Sequence, residues 1–336
     1  MNRRDFCAAA SAIPTVLFAG RRSEAKDDAS GESAPPKDVI GRPVRVVSIA
    51  FNNKPLDTIV QVIEKEAPRG TDIIALPETW RGQKQPESLD GATITAIAAL
   101  AKKHRTYIVC PIDRTDGARR LNSAVLLDRA GKVACVYDKV FPYWSEYDLK
   151  PPVTPGLEAP VHQADFGRVG MAICFDSNYP EVWKRMADQG AELIIWPSAY
   201  SAGTTLQAHA LINHFYIVTS TLRHDCIVYD ITGEELLYEK STDINVSRIT
   251  LDLDRGIYHK DFNVPKRARL LKERGGDVMM EKELDREAWF VLKAKRPGVS
   301  ARQLARQYGL EELRDYINRS RREIDTMRGW KFSEIK

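Results

Sequence analysis

The stretch GMAICFDSNYPE, Gly170–Glu181, runs from an apolar segment through a polar turn into a proline. Gly170 to Ile173 read as the end of a buried strand, and Cys174 sits at its tip. Pro180 suits the first turn of a helix, where its missing N–H would have had no partner in any case. The unit therefore reads strand, turn, helix, with a cysteine at the joint. Taken alone, Cys174 fits a packing thiol better than a nucleophile, because free cysteine is among the most buried residue types. The rest of the chain decides between the two.

Working outward, VRVVSIAF (44–51) and TDIIALPE (71–78) are apolar on both faces, as strands buried between two layers must be. LDTIVQVIEKEA (56–67) and SLDGATITAIAALAKKH (88–104) have helical spacing, and TYIVCPIDRT (106–115) is another strand. NSAVLLDRAGKVACVYDKV (122–140) reads as a hairpin around Asp128–Gly131. Beyond a proline-rich loop (151–160) come GRVGMAIC, the helix PEVWKRMADQGA (180–191) and the strand ELIIWPSA. A helix over LQAHALINHFY (206–216), the strand IVTSTLRH, a hairpin over 226–240 and the strand VSRITLDL (246–253) follow. Strands alternating with helices, interleaved with hairpins, predict an α/β layered fold with a mixed sheet.

The 336 residues are 43% hydrophobic and 29% charged, with a net charge of +4. That composition fits a soluble globular chain with a substantial core, and the charge is too small to demand a polyanionic partner. Five cysteines without a CxxC pair point away from both a zinc site and a disulfide scaffold. At the N-terminus, Arg3 and Arg4 precede the uncharged run CAAASAIPTVLFAG (7–20), and Ser23-Glu24-Ala25 offers a cleavage site. Residues 1–25 read as a twin-arginine-type signal, too short to anchor the chain stably in a bilayer. Export, with a periplasmic location, is the expectation; a cytoplasmic protein with an irregular tail is the alternative. A linker over 26–40 follows.

Three apolar strands end in a residue that can do chemistry: IIALPE in Glu78, ACVYDK in Lys139 and GMAIC in Cys174. Open α/β sheets build their sites at such strand ends. Each residue alone has an ordinary reading as a helix-start acid, an exposed lysine and a core thiol. Together, in the order ALPE, YDKVFPYWSE, TPG (154–156) and GMAICFD, they resemble the nitrilase superfamily, the carbon–nitrogen hydrolases. LNSAVLLDRAGKVACVYDK, WPSAY (196–200) and CIVYDITGEEL are similar to further segments of that family, so the resemblance covers Val44 to Asp254.

The resemblance implies a four-layer α-β-β-α sandwich over 41–255, with 256–336 left as a charged, helical C-terminal extension. It makes Cys174 the nucleophile of a thioester mechanism and Glu78 its general base and later acid. A thiol with pKa near ~8.5 needs such help at neutral pH. Lys139 would supply positive charge to the oxyanion beside the Phe175 N–H, and Glu146 would orient Lys139. No metal or organic cofactor is implied. Family members pair through helices, so a homodimer or larger homo-oligomer is expected. CFDSNYPE is similar to amidase and carbamoylase segments, which implies a small-molecule amide or N-carbamoyl substrate that releases ammonia. A nitrile is the alternative.

Tyr143, Phe175, Asn178, Tyr179, Trp196 and Tyr200 are candidates for lining the pocket, with ordinary packing an equal alternative. Asp176 reads as a hydrogen-bonding brace of the turn and Glu181 as a helix-start acid. One departure stands out. Many members carry Arg-Ala-x-Glu-Asn after the WPSAY-like segment, whereas this chain has His209, Ala210, Leu211, Ile212 and Asn213.

Two other classes compete. His162, His209, His214 and His224 could serve a Cys–His protease, although no protease signature surrounds Cys174. Residues 300–325 loosely resemble a helix-turn-helix, with Ser300 as cap, Gly309 as stop and Arg302, Arg306, Arg314, Arg319, Arg321 and Arg322 as basic residues. The interleaved Glu311, Glu312, Asp315, Glu323 and Asp325 favour a mixed-charge helix pair, so no nucleic-acid partner is expected.

Overall fold

A computed structural model describes residues 38–84 and 86–332. The signal-like segment and most of the linker lie outside the described residues. Among those described, no helix is long and apolar enough to cross a membrane.

The chain first lays down β1 (Pro43–Ala50), α1 (Leu56–Glu66), β2 (Ile73–Ala75), α2 (Ala92–His104), β3 (Tyr107–Asp116), β4 (Arg119–Leu127) and β5 (Val133–Asp138). It continues with β6 (Val161–Gln163), β7 (Arg168–Met171), α3 (Pro180–Asp188), β8 (Leu193–Ser198), α4 (Thr204–Asn213), β9 (Tyr216–Thr221), β10 (Asp225–Tyr229) and β11 (Glu235–Lys240). β12 (Asn245–Asp252) then returns to pair antiparallel with β1 along its whole length. Two six-stranded sheets result, ordered β12-β1-β2-β3-β4-β5 and β11-β10-β9-β8-β7-β6. At the centre of each lie three parallel strands joined by helices: β1, β2 and β3 in one, β7, β8 and β9 in the other.

Alternation along the strands explains the layering. On β1, Val44 and Val46 join the core shared with the second sheet, while Val47 and Ile49 face the helices. Ile73 and Ala75 of β2 face inward, and Ile74 and Leu76 face outward. With both faces largely buried, each strand reads as a mostly apolar run, broken on β1 by Arg45 and Ser48. Ile59 and Ile63 of α1 and Ile94, Ile97 and Leu100 of α2 cover the outer face of the first sheet. Val182, Trp183 and Met186 of α3 and Leu206 and Ala210 of α4 join the other core cluster. The fold is the α-β-β-α sandwich expected. The few polar groups between the sheets are paired: Ser48 Oγ donates to Thr219 O (2.7 Å) and Ser220 Oγ to Ile49 O (2.9 Å).

The extension holds more than helices. α5 (Val264–Arg274), α6 (Ala301–Gln307) and α7 (Leu313–Arg328) pack with a three-stranded antiparallel sheet of β13 (Gly256–His259), β15 (Trp289–Ala294) and β14 (Val278–Leu284). The sequence reading missed that sheet because β14, VMMEKEL, mixes three charged residues into a half-exposed strand. Tyr258, Leu270, Phe290, Leu292 and Leu304 give the lobe its own core. Ser300 caps α6 by accepting from Gln303 N, and Gly309 ends it with φ +76°, as read from the sequence. Arg302 pairs with Glu192 and Glu312, and Arg319 with Glu311 and Glu323, so both arginines are engaged within the chain.

Arg255 joins lobe to sandwich. It binds the fully buried Asp230, donates to Tyr216 OH (2.7 Å) and reaches Glu281 on β14 (2.7 Å). Removing one partner of a buried pair strands the other charge, at a cost of about 3–5 kcal/mol. Arg255→Ala should therefore lower unfolding free energy in urea by about that amount; a loss below ~1 kcal/mol, the value typical of surface pairs, would show the link to be peripheral.

Candidate active site

Glu78 follows β2, Lys139 follows β5 and Cys174 follows β7, so all three lie at strand ends facing one place. Lys139 Nζ donates to Glu78 Oε1 (2.9 Å) and to Glu146 Oε2 (2.7 Å), and it is buried. Burial alone would push an ammonium toward neutrality; the carboxylates of Glu78 and Glu146 raise its pKa far above the ordinary lysine range instead. Glu78 Oε2 accepts from Ala199 N (2.7 Å), and Glu146 Oε2 accepts from Tyr143 N (2.6 Å). Glu146 thus sits beside Lys139.

The sequence reading missed Asn122. Its Nδ2 donates to Glu78 Oε1 (2.7 Å) and Glu146 Oε1 (2.8 Å), holding the two carboxylates in one frame around Lys139. The available signal was an amide side chain at the head of an apolar strand, NSAVLL. The TPG motif acquires a physical reason here. A Cβ on Gly156 would lie 2.1 Å from Asp138 O, and the Gly156 N–H binds Lys139 O at 2.8 Å. Only glycine lets that loop come close enough to fix the backbone of the lysine.

Cys174 opens a one-turn 3-10 segment, Cys174–Asn178, with φ +47°. A non-glycine residue in that region costs about 1–2 kcal/mol, so the turn must be held. Four side chains hold it, one on each successive carbonyl. Trp196 Nε1 donates to Cys174 O (3.2 Å), Asn178 Nδ2 to Phe175 O (3.1 Å), Trp183 Nε1 to Asp176 O (2.9 Å) and His209 Nε2 to Ser177 O (2.8 Å). Because Ser177 O can only accept, the proton of a neutral His209 sits on Nε2. The His209 ring stacks on Trp183, 4.4 Å between centroids and 6° from parallel. The departure from the family pattern thus supplies a flat donor that braces the Cys174 turn.

Asp176 is the brace expected of it. Fully buried, it accepts from Tyr137 OH (2.6 Å), Phe141 N (2.9 Å) and Ile173 N (2.9 Å), tying the turn to β5 and to the loop after Lys139. Burial pushes its carboxyl up to about 6 against the pull of those donors. Among the pocket candidates, Phe175 and Tyr200 are half-buried next to the thiol's turn, whereas Tyr143 and Asn178 are exposed. Tyr200 OH pairs with Ser177 Oγ at 2.6 Å. Asn178 is engaged with Phe175 O, and Trp196 is fully buried with its N–H committed to the turn.

The histidines of the protease reading have other partners. His214 faces Ile231 O, His224 bonds Asp243 O, and His162 packs beside Tyr107. Cys110, Cys135, Cys174 and Cys226 are all free thiols. Among the described residues, no group of acids, histidines and cysteines is arranged to hold a metal ion.

Cys174 is 8% exposed. Burial raises its thiol pKa well above the ordinary range, and the charge of Glu78 raises it further. Lys139, the Ala199 N–H and the Ser198 hydroxyl pull it down, without cancelling the rise. The resting site is therefore a neutral thiol beside a carboxylate and an ammonium. It needs a base at the moment of attack, not a preformed thiolate.

A family model described as carbon-nitrogen hydrolase matches residues 51–253, and the chain belongs to that family. The match ends where the extension begins. The deaminated glutathione amidase of Synechocystis is 25% identical over 209 residues, covering 53% of this chain and 76% of that protein. An omega-amidase of Xenopus laevis is 22% identical over 191 residues, 51% and 69% of the two chains. The crystal structure of an amidase from Nesterenkonia shares the fold with a TM-score of 0.57, at 19% identity, over 70% of this chain and 98% of that one.

Alkylation by iodoacetamide tests the electrostatics. Its rate at Cys174 should be low at pH 7 and rise about tenfold per pH unit through pH 9, following the thiolate fraction. Glu78→Gln removes a charge that holds the proton on, so the variant should alkylate faster at pH 7. Slower alkylation would show that the carboxylate does not disfavour the thiolate.

Proposed function

We propose that the protein hydrolyses a C–N bond of a small linear amide or N-carbamoyl compound and releases ammonia. One observation carries this reading: a buried neutral thiol on a strained, braced turn, with a carboxylate and a buried ammonium already paired beside it. The amidase relatives support the choice of amide.

In the reaction proposed, Glu78 takes the Cys174 proton as Sγ attacks the substrate carbonyl carbon. Lys139 stabilises the oxyanion, assisted by the Phe175 N–H. Glu78 returns the proton to the nitrogen, the C–N bond breaks and ammonia leaves, with the acyl group held as a thioester. Glu78 then deprotonates water, which attacks the thioester; the acid departs and the thiol regains its proton. Glu146 and Asn122 keep Lys139 and Glu78 in register through both halves. A nitrile is the second reading, because the same thiol can add to a C≡N carbon.

The test is an ammonia-release screen over primary amides, N-carbamoyl amino acids and nitriles, with Cys174→Ala as control. Turnover should be highest for an amide or carbamoyl compound and fall to background in the control. Equal turnover by the control would overturn the mechanism, and turnover of nitriles alone would favour the second reading.

We infer also that the chain assembles as a homodimer or larger. Ile212 on α4 is 67% exposed, and Leu157, on the loop bonded to α3 through Arg185, is 80% exposed. Both sit on or against the outer helices, the layer through which the family resemblance implies pairing. Light scattering should give at least twice the chain mass of 37.9 kDa; a monodisperse monomer would refute assembly.

A further inference from the structure

The two loops that carry the chemistry meet through aromatic rings. Phe175, the residue after the nucleophile, lies edge-on to Tyr143 (5.2 Å between centroids, 73°) and to Tyr179 (5.6 Å, 75°). Tyr179 stacks flat on Phe141 at 3.6 Å, and Tyr143 continues to Trp144 at 5.7 Å. Phe141, Tyr143 and Trp144 belong to the loop after Lys139; Phe175 and Tyr179 belong to the nucleophile turn. The inner end of this run is anchored, since Tyr143 N bonds Glu146 Oε2 and Phe141 N bonds Asp176 Oδ1. Its outer end is open: Tyr143 is 40% and Trp144 62% exposed.

A continuous aromatic surface that begins one residue from the nucleophile and ends in solvent is costly to leave wet. Aromatic faces and edges favour another ring in offset or T-shaped contact. Charge points the same way. Glu78 and Glu146 both act on the single ammonium of Lys139, and Glu78 also disfavours the thiolate. A substrate carboxylate held close by would add a further negative charge to that cluster, which a selective site avoids.

Building on the assignment of Cys174 as nucleophile, we propose that this aromatic run is the acyl subsite. Its substrate is an uncharged primary amide whose acyl group ends in an aromatic ring. Tyr143 and Trp144 are the specificity-determining residues, and Phe175 sets the floor between them and the thiol.

The experiment compares kcat/KM for phenylacetamide and 3-phenylpropanamide with propionamide and succinamate on the full chain. The better aryl amide should exceed propionamide at least tenfold, chiefly through a lower KM, and succinamate should fall below propionamide. In Trp144→Ala and Tyr143→Leu the ratio of aryl amide to propionamide should fall toward unity. A wild-type ratio at or below one, a ratio untouched by both substitutions, or a preference for succinamate would overturn the proposal. Phenylacetonitrile against propionitrile separates this inference from the reading beneath it. If only nitriles react and the aryl one is preferred, the subsite stands and the amide assignment falls. Calorimetric binding of phenylacetamide to Cys174→Ala reads the subsite without turnover, and absence of binding there also counts against it.

Discussion

The structure depends on a short turn that would not hold its shape alone. Cys174 must adopt a left-handed backbone to lift its thiol off the end of β7, and nothing in five residues of 3-10 helix compensates for that. The four side-chain N–H groups on consecutive carbonyls, from Trp196, Asn178, Trp183 and His209, supply the missing restraint. Three of them come from elements outside the turn: β8, α3 and α4. The position of Cys174 is thus set by the packing of the second sheet against its helices.

The opposing half of the site is built by charge. Lys139 stays an ammonium in a buried place only because carboxylates surround it, and those carboxylates are fixed by Asn122 and by the amides of Ala199 and Tyr143. Asp176 couples the halves, since one carboxyl accepts from the nucleophile turn, from β5 and from the loop after the lysine. A shift in either half is felt in the other through that group.

Much of this was legible in the sequence, and the limits have physical causes. Strands buried on both faces announce themselves as apolar runs, so β1, β3 and β8 could be read directly. Glu78, Lys139 and Cys174 stood out because each breaks such a run at its end. Asn122 was hidden because an amide beside a hairpin is unremarkable until its partners are known. His209 looked like the loss of a family residue, and only its stacking on Trp183 shows what it contributes. β2 and β7 proved shorter than read, three and four residues. The sheet of the extension escaped notice because β14 mixes charge into a half-exposed strand and β13 is only four residues long.

The return of β12 to pair with β1 has a consequence for how the molecule is made. β1 is the first strand of the sandwich, and its outer edge is covered by residues 245–252, near the far end of the catalytic region. A ribosome delivers the chain in order, so that edge has no partner until almost the whole sandwich has emerged. Pairings of such long sequence separation form slowly, and an open strand edge invites the wrong neighbour in the meantime. The nucleophile turn waits on the same event, because its braces belong to a second sheet whose inner face packs on the first. The shape of the Cys174 turn is therefore a property of the finished sandwich.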